Sequence, residues 1–418
     1  MLTYVFVALL LVHVVVKVWL ASRQMRHVAA HRDAVPSEFA ERIRLASHQR
    51  AADYTVARAR LGIVERVFDA GVLISLTLLG GLQFLDWLAG AISQHSMVRQ
   101  LILIGMVTGL LGILGLPFTL YRQFELESRF GFNRMTLKLF AADTLKGIVL
   151  GIILGTPLIA AILWLMQEAG TYWWIWAWGL WAAFNILVTL LYPLVIAPLF
   201  NTFKPLNDPE LAQRIGALAT RCGFSLKGLF VMDGSKRSAH GNAYFTGFGR
   251  SRRIVFFDTL LNRLTANEVE AVLAHELGHF SRKHIVKRIV LGFGIAFAFF
   301  WVLGWLADQP AFYDALGVTP RLTGDNHAMA LILFALILPI CTFFLTPLAS
   351  WYSRRDEFEA DTYASEQSDA RDLISALVKL YDDNAATLTP DPVHSAFYDS
   401  HPPATVRIRH LQSLSVAA

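Results

Sequence analysis

The sequence predicts a predominantly α-helical polytopic membrane protein of about seven spans, carrying one small α+β insertion. Three observations predict it. The 418-residue chain is 55% hydrophobic and only 17% charged, with a mean hydropathy of +0.46, too apolar for a water-soluble fold of this size. Apolar runs of membrane-crossing length recur along it. A more polar segment, residues 201–287, interrupts them and contains His275-Glu-Leu-Gly-His279.

A helix needs about 20 apolar residues to cross the hydrocarbon. Such runs are Leu2 to Leu20, Val67 to Leu88, Leu101 to Tyr121, Ile148 to Met166, Tyr172 to Phe200, Ile289 to Leu306 and Ala328 to Ser350. The first lacks a basic leading region and reads as an anchor rather than a signal peptide. Lys17, near its end, can snorkel to the interface. Trp173, Trp174, Trp176 and Trp178 crowd the start of the fifth run, where an aromatic belt is expected. The five earlier spans form a membrane region, 1–200. The second region, 201–418, holds the insertion 201–287, spans six and seven, and the C-terminal segment.

Loop charge alternates. Arg23, Arg26, Arg32, Arg42, Arg44, Arg50, Arg58 and Arg60 lie between spans one and two, and Arg122, Arg129, Arg134, Lys138 and Lys146 follow span three. The loops near Gln94, Glu168 and Asp314 carry almost no basic residues; Arg99 and Arg321 are the exceptions. The positive-inside rule then puts the N-terminus outside and the C-terminus and insertion in the cytoplasm. The net charge of +5 has no Lys/Arg run interleaved with aromatics, so no nucleic-acid partner is expected. The two cysteines, Cys222 and Cys341, fall in polar and apolar surroundings respectively, which argues against a disulfide. Any metal site must then use histidines and carboxylates.

Within the insertion, Asp208-Pro209-Glu210 starts a helix that Gly223 ends. Gly228 to Asp233 reads as a strand. Asn242 to Phe248 and Arg253 to Asp258, joined by Gly249-Arg-Ser, read as a hairpin. A free strand edge there could dock an extended peptide through backbone hydrogen bonds.

Thr265-Ala-Asn-Glu268 is a capping box for the helix that follows. Val269, Val272, Leu273, Leu277 and Phe280 give that helix an apolar face. His275 and His279, one turn apart, can offer two imidazole nitrogens to one zinc ion. Glu276 can take the proton of a zinc-bound water. Gly278 is costly inside a helix unless something packs closely against it. With 13 histidines in the chain, chance yields this pattern roughly 0.015 times per sequence.

A third ligand is expected from Ser353-Arg-Arg-Asp-Glu-Phe-Glu-Ala-Asp361. Glu357 and Asp361 share a helix face at i and i+4. Glu357 can bind zinc while Asp361 accepts the outer N–H of a ligating histidine and so fixes its tautomer. Asp356 and Glu359 point elsewhere.

The chain resembles the integral-membrane CAAX prenyl endopeptidases, the type I CAAX-processing zinc proteases, gluzincin-like in their metal site. The resemblance rests on Glu125 to Asn133, Ser235 to Phe245, Arg253 to Leu260, His275 to His279, Ser353 to Asp361 and Ser400-Asp-His-Pro-Pro403, in that order. It implies seven helices enclosing a water-filled chamber, one Zn2+ held by His275, His279 and Glu357, and Glu276 activating water. It also implies a substrate groove lined by Asn242, Ala243, Tyr244 and Phe245, with His401 stabilising the oxyanion and Arg407 in the groove. Implied partners are peptide or protein substrates, C-terminal CAAX tails that are often prenylated, and membrane lipid.

The short loops suggest a bacterial relative, favouring a bacterial inner membrane over the endoplasmic reticulum. Without protein prenylation, such an enzyme would clip other membrane proteins in quality control. The alternative from a different class is a channel or transporter-like protein with structural zinc, which needs ligands but no general base.

Overall fold

The computed structural model describes residues 1–246, 252–321 and 326–417. Among the described residues, six helical runs are long and apolar enough to cross a membrane: Leu2–Ala30, Ser96–Arg129, Leu137–Glu168, Gly170–Phe200, His284–Ala307 and His327–Gln367. The bent pair Leu45–Leu76 and Gly81–Ile92 makes a seventh if it counts as one span. The principal helices are α1 (Leu2–Ala30), α2 (Leu45–Leu76), α3 (Gly81–Ile92), α4 (Ser96–Leu120), α5 (Leu137–Glu168), α6 (Trp173–Leu191), α7 (Pro209–Arg221), α8 (Ala266–Ser281), α9 (His284–Ala307), α10 (His327–Thr342), α11 (Thr346–Gln367), α12 (Ala370–Asp383), α13 (Pro392–Tyr398) and α14 (Ala404–Ala417).

The expected unbroken run from Val67 to Leu88 turns by 57° between α2 and α3. The Thr77 hydroxyl donates back to the Leu73 carbonyl at 2.6 Å, and Gly80 takes a φ of +81°. A side chain on Gly81 would begin 2.6 Å from the Ser75 carbonyl oxygen. Glycine alone suits both positions, and hydropathy does not register such a bend.

The spans share one buried core that includes Leu10, Leu73, Leu103, Leu163, Leu303 and Leu333, but three of them are little covered. Only 11%, 11% and 6% of the apolar windows in the runs beginning at Ser96, Leu137 and Gly170 are buried against protein. A helix in a solid bundle buries a stripe about 100° wide or more. The helices of these three runs therefore leave most of their apolar surface uncovered by protein, as surface facing lipid does. Part of the tryptophan cluster packs inward, while Trp176 stays exposed. Trp173 is buried, and Trp174 and Trp178 set their rings edge-on to Phe297 of α9 at 5.2 and 5.1 Å.

The two arginines that break the loop-charge pattern share one destination. Arg321 donates to Asp86 of α3 at 2.9 Å, and Arg99 Nε lies 3.9 Å from the other Asp86 oxygen. Neither is a free loop charge.

The polar segment forms a four-stranded sheet, β1 (Phe203–Pro205), β2 (Leu226–Met232), β3 (Ala243–Thr246) and β4 (Arg252–Phe257), in the order β1-β2-β4-β3. β3 and β4 form the expected antiparallel pair, with Tyr244 opposite Val255. The connecting Gly249-Arg-Ser and Phe248 lie outside the described residues. Three-residue β1 escapes strand periodicity altogether. Ile254 and Phe256 of β4 share one core with Leu273 and Leu277 of α8, Leu373 of α12 and Ile408 of α14. Phe39 and Ile43, from the link between α1 and α2, belong to that core as well.

Candidate metal centre

The metal helix α8 is fixed at its start. Thr265 Oγ1 accepts from the Glu268 amide at 3.4 Å, and Glu268 Oε2 accepts from the Thr265 amide at 2.7 Å. Glu268 also takes hydrogen bonds from Lys379 and Ser375 of α12, each at 2.7 Å. Burial alone would raise the Glu268 pKa, but Lys379, the Thr265 amide and Ser375 together hold it below 4.5. Further along, Gly278 lets α11 approach α8 closely. A side chain there would begin 3.0 Å from Ala360 Cα and 3.1 Å from its carbonyl oxygen.

This approach brings the three expected ligands together. Ligand atoms of His275, His279 and Glu357 all lie within 4.8 Å of one another. His275 Nε2 is 3.4 Å from Glu357 Oε2, and His279 Nε2 is 3.4 Å from Glu357 Oε1. Tetrahedral coordination with bonds of about 2.0–2.2 Å separates ligand atoms by about 3.3–3.6 Å. Glu357 Oε2 is buried without a hydrogen-bond partner, a costly state for a carboxylate oxygen that a cation would relieve. The donor set therefore fits a metal.

Each histidine is held from behind. Asp361 Oδ1 lies 2.8 Å from His275 Nδ1, so Nδ1–H donates to the carboxylate and Nε2 stays free for the metal. Asp361 thus contacts His275, a histidine it is expected to orient. Arg407 differs from expectation. It is 5% exposed and donates to both Asp361 oxygens, at 2.8 and 2.7 Å. Its Nη2 is almost equidistant from the two His275 ring nitrogens, 3.1 and 3.2 Å, so it lies over the ring face. A guanidinium enclosed in this way is not part of a groove surface. Burial opposes its charge, but Asp361 more than compensates and raises its pKa. Burial and Arg407 both work against a charged His275, and the Asp361 and Glu357 carboxylates reverse that, raising its pKa.

His279 is held by a relay that sequence reasoning missed. Its Nδ1 meets His284 Nδ1 at 3.0 Å, and His284 Nε2 meets Glu359 Oε2 at 3.1 Å. One consistent set of tautomers has His279 Nδ1–H donating to His284, and His284 Nε2–H donating to Glu359. His284 opens α9 directly after Lys283, whose φ of +58° turns the chain sharply. The available signal was a third histidine five residues beyond the motif. Glu359 does point away from the triad, as expected, yet it reaches His279 through His284.

Glu276 is half-buried, and among the described residues its carboxylate has no hydrogen bond or ion pair. His401 Nε2 lies 3.6 Å from Glu357 Oε1, with its side chain 64% exposed. The imidazole thus borders open space beside the triad. β3 occupies the outer edge of the sheet. Asn242, just before it, is exposed, and its carbonyl accepts from the Phe257 amide at 2.9 Å. Ala243 and Tyr244 follow, half-buried, and the Phe245 backbone continues the strand.

Two family descriptions match the chain: CAAX prenyl protease N-terminal, five membrane helices, over residues 24–202, and Peptidase family M48, over residues 205–415. The chain belongs to the CAAX prenyl protease family. It is 37% identical over 326 residues to CAAX prenyl protease 1 homolog of Oryza sativa subsp. japonica, covering 78% of this chain and 76% of that one. CAAX prenyl protease 1 of Saccharomyces cerevisiae is 35% identical over 334 residues, covering 77% and 73%. The Homo sapiens homolog is 30% identical over 464 residues, covering 98% and 96%. The crystal structure of S. mikatae Ste24p superposes with a TM-score of 0.92 at 29% identity, over 98% of this chain and 99% of that one. Membership makes the chain a multi-pass membrane metalloendopeptidase that uses a metal cofactor, contacts lipid and acts on peptides or proteins.

Proposed function

We propose that this protein is a zinc endopeptidase of C-terminal CAAX processing, with His275, His279 and Glu357 as the ligands. The observation that carries this reading is the orphaned buried Oε2 of Glu357 beside His275, with Oε1 of the same carboxylate beside His279, next to an uncommitted Glu276. A purely structural site needs no such carboxylate. Zinc bound there would supply Lewis acidity toward a water and the scissile carbonyl.

The protein's own residues supply the rest. Glu276 takes a proton from the attacking water and returns it to the leaving amine. His401, through Nε2–H, donates to the carbonyl oxygen as charge develops on it. Asp361 and Arg407 hold His275, while His284 and Glu359 hold His279. The outer edge of β3, from Asn242 to Phe245, receives the substrate as an added strand. It belongs to the packed unit that contains the metal helix, so peptide and ligands move together. Arg407 thus serves as a positioning residue behind the ligands.

The relatives' names point to a prenylated C-terminal tail as substrate. Loop charge favours an outside N-terminus and a cytoplasmic C-terminus. The compact loops favour a bacterial inner membrane, although the relatives named above are from plant, yeast and human. On this reading residues 1–200 form the membrane region and 201–418 carry the chemistry.

The test pairs metal analysis with cleavage of a prenylated C-terminal peptide by the full-length protein. Wild type is expected to hold one zinc and cleave. Glu276→Ala should keep the zinc and lose about 10²–10⁴-fold in rate. Normal cleavage by that variant, or by thoroughly chelated protein, would overturn the mechanism.

A further inference from the structure

A cationic cavity sits among the transmembrane helices and uses none of the metal-centre residues. His13 and Lys17, one turn apart on α1, face Arg66 and Asp69 of α2 across a space of 260 Å3. Among the described residues neither Lys17 nor Arg66 has a carboxylate oxygen within 4.0 Å. Arg66 Nη1 is buried without a hydrogen-bond acceptor, and so is His13 Nδ1 without any partner. His13 itself is only 8% exposed. The Lys17 ammonium lies 5.2 Å above the Phe343 ring. Asp69, exposed at the rim, sets one negative charge against two positive ones. Ionisable groups between membrane-spanning helices are costly unless something answers them.

A second cavity, of 540 Å3, shares Leu111 and Leu336 with the first. Its wall is almost wholly aliphatic and aromatic; only Thr108 and Trp181 add side-chain polar atoms. The two spaces therefore adjoin at Leu111 and Leu336, one cationic and one apolar. Lys17 stands toward the end of α1 that carries Arg23 and Arg26, so the cationic part lies near the end of the span and the apolar part runs inward.

We propose that these adjoining cavities hold one anionic phospholipid, with its phosphate on Arg66 and Lys17 and an acyl chain passing Leu111 and Leu336 into the apolar space. A phosphate oxygen supplies the acceptor that Arg66 Nη1 lacks, in the charge-assisted geometry guanidinium favours. The net positive charge selects an anionic headgroup over a zwitterionic one. The apolar extension selects an amphiphile over a free anion.

The experiment incubates delipidated full-length protein in detergent with equal amounts of phosphatidylglycerol and phosphatidylcholine and counts retained lipid by native mass spectrometry. Wild type should retain one phosphatidylglycerol, preferred about tenfold or more. Lys17→Gln with Arg66→Gln should erase the preference, and Lys17→Arg with Arg66→Lys should keep it. Ala335→Phe, which fills the apolar cavity with all charges intact, should lower retention of phosphatidylglycerol. Equal retention of both lipids by wild type would overturn the proposal. So would an unchanged preference in the double glutamine variant, unchanged retention by Ala335→Phe, or displacement by inorganic phosphate as effective as by the lipid.

Discussion

The Cα atom of Ala360 lies 3.0 Å from the point where a side chain on Gly278 would begin. Gly278 belongs to the helix of the two histidines, and Ala360 lies between Glu357 and Asp361 on the helix of the carboxylates. Their contact sets the distance between the two halves of the metal centre. The cost of glycine inside α8 is offset by an approach that no other residue allows.

Gly278→Ala should therefore push α11 outward and misplace Glu357. Overpacking of this kind costs about 1–3 kcal/mol, so thermal unfolding should fall modestly. Metal affinity should fall further, because a shift of a few tenths of an ångström breaks tetrahedral geometry. Metal content and melting temperature measured on the same preparation check this; unchanged zinc affinity would show that the contact is not limiting.

Ligand and relay should separate by degree. Glu357→Gln should abolish tight zinc binding. His284→Ala and Glu359→Gln should each weaken it about 10–100-fold, the usual effect of losing a group that orients a ligand. Competitive chelator titration measures both. Wild-type affinity in the Glu359 variant would remove the His279–His284–Glu359 relay from the account.

Glu268 gives a pH signature away from the metal. Its folded pKa is lowered from 4.5, so its contribution to stability is fully present above that value and is lost as pH falls through the lower folded one. Near neutral pH, Glu268→Gln should destabilise the protein by about 1–3 kcal/mol, the range for a buried charged hydrogen bond. The gap should shrink below pH 4.5. Denaturation of both proteins across that range, in metal-free buffer, tests it; a gap that widens in acid would contradict the assignment.

Topology is testable by labelling in a background carrying Cys222→Ser and Cys341→Ser. Lys227 and Gln94 are both exposed. Lys227→Cys should react only from the cytoplasmic side, and Gln94→Cys only from the opposite side. The reverse pattern would invert the map.

Much of this site was legible before any fold was known. The H-E-x-x-H spacing places His275, Glu276 and His279 by helix geometry alone, and Glu357 with Asp361 follows from the same i, i+4 rule. His284 was not legible, because its partnership with His279 depends on the turn at Lys283 rather than on a period. The resemblance implies a groove position for Arg407. Its enclosure behind His275 depends on how α14 packs against α11 and α12, which spacing along the chain cannot express. The break between α2 and α3 was hidden for a related reason: a hydropathy window counts apolar residues and is blind to a left-handed glycine.

By itself the sequence determined what is periodic and local: which runs are apolar enough to cross a bilayer, where the metal helix begins, and which side chains share its face. The tertiary structure decided how close the two ligand helices come, what stands behind each histidine, and that three of the spans leave most of their apolar surface uncovered by protein. The reason is physical. Helix register follows from bonds between residues a few positions apart, whereas interhelix distance follows from contacts such as Gly278 with Ala360, 82 positions away in the chain.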